Sequence, residues 1–256
     1  MAALDIRLVP CLTDNYAYLV HDPEAELTGV VDPSEAGPVR EALMDAGWTL
    51  THIFNTHHHP DHVGGNEELK AAFGAPVIGP KADEARIPLI DVALDEGEAY
   101  EFGSERFEVI NTPAHTRGHI AFYLPGSRAA FTGDTLFVLG CGRLFEGTPA
   151  QMWESLQKLM KLPDDTRIYC GHEYTQANAR FALTVEPGNE ELRAFADEID
   201  VLRAENKPTI PSTIGREKAA NPFLRPDTPE IRQVLGMPDA TNVDVFAEIR
   251  KRKDSF

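Results

Sequence analysis

The chain has 256 residues, 42% of them hydrophobic and 25% charged, the balance of an ordinary globular protein of one large domain or two. Its 41 acidic residues against 24 basic ones leave −17, which argues against nucleic acid or an anionic membrane as partner. No apolar run approaches the roughly 18 residues that a bilayer span needs, and no basic stretch followed by an apolar one opens the chain. The three cysteines, Cys11, Cys141 and Cys170, are odd in number and lack CxxC spacing, so free thiols in a reducing, cytoplasmic setting are expected.

Taken in order, Ile6–Val9, Tyr16–Val20 and Gly29–Asp32 are short β-rich runs and predict successive strands. Val39–Ala46 predicts a helix closed by Gly47, and Leu50–Asn55 the next strand. Gly64-Gly65 permits a close backbone approach, and Asn66 is expected to cap a helix over Glu67–Phe73, followed by a strand over Pro76–Ile78. Strands are predicted at Tyr100–Phe102, Phe107–Asn111, Ile120–Leu124, Ala129–Thr132 and Thr166–Cys170. Thr148-Pro149-Ala150-Gln151 is a capping box, and the helix it opens carries Met152, Leu156, Leu159 and Met160 on one core-facing stripe. Beyond residue 174 the pattern turns helical: Tyr174–Val185, a helix capped by Asn189, and Val243–Lys253. Pro208, Pro211, Pro222, Pro226 and Pro229 predict a long irregular connection before the last helix.

The densest chemistry lies in Thr56-His57-His58-His59-Pro60-Asp61-His62. Four of the chain's nine histidines fall within six residues, too many for a chance surface loop. Neutral imidazoles and carboxylates are ligands for divalent first-row metals. In an extended segment His57, His59 and Asp61 share one side, whereas His62 faces elsewhere unless the backbone turns. This spacing suits two neighbouring ions, with His57 and His59 serving one and Asp61 and His62 the other. Three further polar groups also follow predicted strands directly: His115, Asp134 and His172. Strand-end loops of an α/β protein gather on one rim, where such folds keep their sites. Five histidines and two carboxylates exceed the four ligands of one zinc, so two ions are expected, with Asp134 bridging.

THHHPDH, TPAHTRGH, TGDT and CGHEYT resemble the motifs of the metallo-β-lactamase superfamily. Within it the chain looks like the glyoxalase II (hydroxyacylglutathione hydrolase) family along its whole length, on FVLGCGRLFEGT, ANPFLR and the final RKRKDSF. The resemblance implies an αββα sandwich over residues 1–172 and a helical substrate-binding domain over 173–256. It places His57, His59 and His115 on one metal, and Asp61, His62 and His172 on the other, with Asp134 between them. Zinc is the expected metal, although this donor set also accepts iron or manganese. It further implies glutathione contacts from Arg143, Tyr174, Arg250 and Lys253, with Arg143 where a Lys is common and Phe145 where a Tyr occurs. The implied reaction is hydrolysis of an S-(2-hydroxyacyl)glutathione such as S-D-lactoylglutathione, by a monomer, in methylglyoxal detoxification. Water activated between the metals would be the nucleophile and Asp61 a proton acceptor, with no serine or cysteine needed. His119 is expected behind the ligands, His58 to orient the loop or meet solvent, and His21 and His52 to be structural. A lactonase or another thioesterase would share the same metals, and turnover on a lactone separates those readings.

Overall fold

A computed structural model describes residues 4–256 as two units, residues 4–111 with 117–133 and residues 112–116 with 134–256. In the first unit, strands β1 (Asp5–Cys11), β2 (Asn15–Asp22) and β3 (Leu27–Val31) run antiparallel in sequence. Helix α1 (Ala36–Ala46) carries the chain to β4 (His52–Phe54), which lies parallel to β3. A single turn α2 (Pro60–Val63) and α3 (Asn66–Phe73) lead to β5 (Val77–Pro80) and β6 (Ile90–Leu94), which complete a six-stranded sheet in the order β1 to β6. The second sheet begins with β7 (Ala99–Phe102), β8 (Glu105–Asn111), β9 (Ile120–Leu124) and β10 (Ala129–Gly133), an antiparallel meander.

Alternation along the strands decides what each face meets. Leu19, Val30, Ile53 and Val77 point to one side, where Val39 and Leu43 of α1 and Leu69 of α3 close a buried apolar layer. Phe54, the neighbour of Ile53, points to the other side and stacks on Phe107 of the second sheet at 4.0 Å and 1°. Phe102 and Phe122 meet Phe54 edge-on, so the two sheets are joined by an aromatic core. Gly47 ends α1 in the left-handed conformation that the sequence predicts for it. Asn66 departs from expectation. It is the first residue of α3, and its side chain donates to Asn55 Oδ1 at 2.7 Å instead of capping the helix. Burial explains the change, because an unpaired Asn55 amide in the core would cost more than an open helix end.

The second unit contains the hairpin β11 (Leu136–Phe137) and β12 (Gly140–Cys141), then α4 (Pro149–Leu159), β13 (Arg167–Cys170), α5 (Thr175–Val185) and α6 (Glu190–Ala204). It continues with β14 (Ser212–Thr213), α7 (Ile214–Ala220), α8 (Pro229–Leu235) and α9 (Asn242–Asp254). β13 pairs antiparallel with β14. The capping box forms as predicted, Thr148 accepting from Gln151 N while Gln151 accepts from Thr148 N. Asn189 and Thr241 cap α6 and α9 by accepting from Leu192 N and Asp244 N. The predicted irregular connection is instead partly ordered, since α7 and α8 lie inside it. Pro229 occupies the first turn of α8, where its missing N–H costs nothing.

Candidate metal centre

The first unit holds the His-rich segment. Leaving β4, the chain bends at Thr56-His57, and Pro60 then starts α2 with His59 at its N-cap. The helical turn brings Asp61 and His62 round, so the segment is not extended throughout. Gly64 and Gly65 are needed here. A Cβ on either would press into the carbonyl oxygens of Ser34 and Pro33, confirming the close approach that the sequence predicts. His57 Nε2 and His59 Nδ1 face each other at 3.1 Å, and His62 Nε2 lies 3.7 Å from Asp61 Oδ2. Asn15 Nδ2 donates to Asp61 Oδ2 at 3.1 Å, which orients a carboxylate that is otherwise partly open to solvent.

Behind these side chains stands Asp32, which belongs to none of the sequence motifs. It is buried, sits at φ 48°, and accepts from Thr56 N at 2.8 Å and Thr56 Oγ1 at 2.7 Å. His62 Nδ1 lies 3.0 Å from its Oδ2. A carboxylate can only accept, so His62 carries its proton on Nδ1 and presents Nε2 as a lone pair. The signal for it in the sequence is a charged residue closing the apolar run Gly29-Val30-Val31-Asp32, where desolvation makes a lone acid costly.

His119 is buried and packs its ring 4.8 Å from that of His57. His58 turns away from the ligand set, with Nδ1 2.8 Å from the buried Asp83, which Arg86 also pairs. Of the two alternatives for His58, it therefore anchors the loop. His52, sandwiched among Phe54, Tyr100 and Phe102, has its pKa lowered by burial. His21 stacks on Trp48 at 4.3 Å.

The second unit brings together His115, Asp134 and His172, all buried. Asp134 Oδ2 lies 3.4 Å from His115 Nε2 and 3.3 Å from His172 Nε2, so one oxygen faces both rings. His115 Nδ1 is 3.0 Å from Arg143 O, an acceptor only, which again leaves Nε2 bearing the lone pair. Ala114, just before it, is held at φ 134°, strain of the kind that clusters at functional sites. Gly142 backs directly onto the Asp134 carbonyl, leaving no room for a side chain.

The donor set fits divalent metal. Two ligands of one tetrahedral ion, each bonded at about 2.0–2.1 Å, sit roughly 3.3 Å apart, close to the 3.1, 3.3 and 3.4 Å separations found here. No cysteine joins them: all three thiols are free and buried, and burial pushes Cys141 up to about 11 and Cys170 to about 12.

Residues 13–172 match the family model of the metallo-beta-lactamase superfamily, and residues 173–256 match that of the hydroxyacylglutathione hydrolase C-terminus. A hydroxyacylglutathione hydrolase of Methylococcus capsulatus is 56% identical over 253 residues, 99% of each chain. One from Maricaulis maris is 53% identical over 256 residues, the full length of both. The chain belongs to the hydroxyacylglutathione hydrolases of the metallo-beta-lactamase superfamily. Its α/β fold is that of the superfamily, and its helical C-terminal domain is the one that the hydroxyacylglutathione hydrolase C-terminus model matches. Among solved structures, TTHA1623, crystallised in a di-iron-bound form, aligns with a TM-score of 0.60 at 27% identity, over 86% of this chain and 100% of that one.

Three of the predicted substrate contacts, Arg143, Arg250 and Lys253, lie near the end of α9. Arg250 is buried, donating to Cys141 O at 2.7 Å and pairing with Asp254 at 2.9 Å. Lys253 Nζ donates to Ala177 O at 3.1 Å, and Arg143 approaches the same Asp254 at 3.9 Å. Burial first, then the charges of Arg250 and Arg143, lower Lys253 to about 8. Tyr174 is partly exposed and stacks flat on His172, 4.6 Å between ring centres. Phe145 is exposed, with its ring 5.2 Å from that of His115. Among the described residues, no helix is long and apolar enough to cross a membrane.

Proposed function

We propose that this chain hydrolyses the thioester of S-(2-hydroxyacyl)glutathiones, S-D-lactoylglutathione among them, releasing glutathione and a 2-hydroxy acid such as D-lactate. Full-length similarity to hydroxyacylglutathione hydrolases carries the activity, including the C-terminal family match over residues 173–256. His57, His59 and His115 would hold one divalent ion and Asp61, His62 and His172 a second. The shared approach of His115 and His172 to one oxygen of Asp134 supports Asp134 as the bridge. Zinc is the metal we favour. Residues 1–172 form the metal domain and 173–256 the substrate domain of a cytoplasmic monomer.

Two such ions, when bound, bring the pKa of a water near neutrality and polarise the thioester carbonyl. The chain's own side chains do the rest. Asp32 and the Arg143 carbonyl fix the tautomers of His62 and His115. Asp61, held by Asn15, accepts a proton as the thioester breaks. The departing thiolate is a weak base and needs no strong acid. Arg143, Tyr174, Arg250 and Lys253 engage the tripeptide. Metal analysis paired with an assay on S-lactoylglutathione tests the proposal. Two equivalents of metal and turnover of the thioester in preference to a lactone are expected. Asp134→Ala should lose at least one equivalent and nearly all activity. A single ion at saturation, or preferential lactone cleavage, would defeat it.

A further inference from the structure

The hairpin of β11 and β12 turns at Val138-Leu139, two residues with no exposed surface. Leu139 sits at φ 56°, a region that costs any residue with a branched side chain. A buried turn must also find partners for its backbone, and water cannot reach this one. Side chains supply them. Leu139 N donates to Glu217 Oε2 at 2.8 Å, and Val138 O accepts from Asn178 at 3.0 Å. Asn221 donates to Phe137 O at 3.3 Å and Gly140 O at 3.1 Å. Glu217 is the hub, because it also accepts from Asn221 at 3.0 Å and from Ser212 Oγ at 2.6 Å. Its carboxyl is buried, and the hydrogen bonds it accepts come from the turn, Asn221 and Ser212.

The residues just past this turn give a reason for so costly a structure. Cys141 O receives Arg250, Gly142 N donates to Thr135 O at 3.2 Å beside Asp134, and Arg143 O receives His115 Nδ1. Three consecutive residues after the turn therefore fix one substrate-binding cation and two metal ligands. We propose that Glu217 is a positioning residue for the hydrolysis: by clamping the Val138-Leu139 turn it sets the register of Cys141-Gly142-Arg143, and through them Asp134, His115 and Arg250. The proposal rests on the ligand and substrate assignments above.

Three variants test it, each read by zinc affinity of the apoprotein against a competing chelator and by KM for a glutathione thioester and for a thioester lacking the tripeptide. Glu217→Ala, studied well below its melting temperature, should weaken zinc at least tenfold and raise KM for the glutathione thioester more than for the truncated one. Glu217→Gln should recover most of both losses, since its amide oxygen can accept from Leu139 and Asn221 while its NH2 donates to Ser212 Oγ. Asn178→Ala removes only the Val138 bond and should shift both readouts the same way, by threefold or more. It stands in if Glu217→Ala does not fold. A residue that merely stabilises the core would lower the melting temperature and leave zinc affinity and the KM contrast at wild-type values; that result, or no recovery in Glu217→Gln, overturns the proposal. If the wild type hydrolyses no glutathione thioester, the functional reading fails while the zinc comparison still judges Glu217.

Discussion

An imidazole serves a metal well only when its other nitrogen is occupied, and for two of its candidate ligands this chain does so with acceptors remote in sequence. Asp32 holds His62 across 30 positions, and the Arg143 carbonyl holds His115 across 28. Asp32→Ala is therefore expected to weaken metal binding by about 10–100-fold without touching a ligand, as such outer partners generally do; a chelator competition reads it directly. His58 is the contrast within the same loop. Its ring faces Asp83, whose charge Arg86 also neutralises. His58→Ala should keep both metals and most of the activity, at a stability cost of about 1–2 kcal/mol for the lost hydrogen bond; a chemical melt and elemental analysis would show it. The candidate ligands are legible in sequence because seven donor side chains stand at the ends of predicted strands. Asp32 is not, since a sequence displays an acid without its partner, and the bend at Pro60 that regroups Asp61 and His62 overrides simple alternation.

At the scale of elements, sequence pattern misleads where prolines cluster. Pro222 and Pro229 read as breakers, yet each starts a helical turn with its φ already set. Hidden between Pro211 and Pro222 lies α7, seven residues too short to show a periodic stripe, and it carries Glu217. Burial pushes the Glu217 carboxyl up to about 7 against an ordinary 4.5, and its three hydrogen bonds from Ser212, Leu139 and Asn221 offset that only in part. Because the folded pKa is the higher one, the folded chain binds more protons between about pH 4.5 and 7. Glu217 therefore contributes stability that is complete below about 4.5 and is lost as pH rises through about 7. Metal binding is itself pH-dependent, so the informative quantity is the difference between wild type and Glu217→Gln. The melting temperature of the wild type should fall relative to the variant from pH 5 to pH 8, and parallel curves would show that the carboxyl titrates normally.

The whole molecule carries −17, and its proposed substrate is also anionic, so attraction cannot come from net charge. It must come from a local patch, and we propose Arg143, Arg250 and Lys253 for it, which lie together near the end of α9. Their roles differ. Arg250 is buried on the Cys141 carbonyl, so replacing it would disturb the hairpin as well as the charge. Lys253 offers the cleaner test. Lys253→Ala should raise KM for a glutathione thioester by about tenfold, the worth of one charge-assisted contact, while kcat falls far less because no metal ligand is touched. Since Lys253 loses its proton near pH 8, wild-type KM should climb above that pH as the patch loses a charge. Lys253→Arg, protonated throughout, should flatten the rise. Added salt should raise the wild-type KM more than that of Lys253→Ala, because screening acts on the charge that remains. Steady-state kinetics at pH 7 and 9, with a glutathione thioester and with one lacking the tripeptide, separate binding from a general effect. Equal losses on both substrates would mean that the cations of α9 only close the helix end.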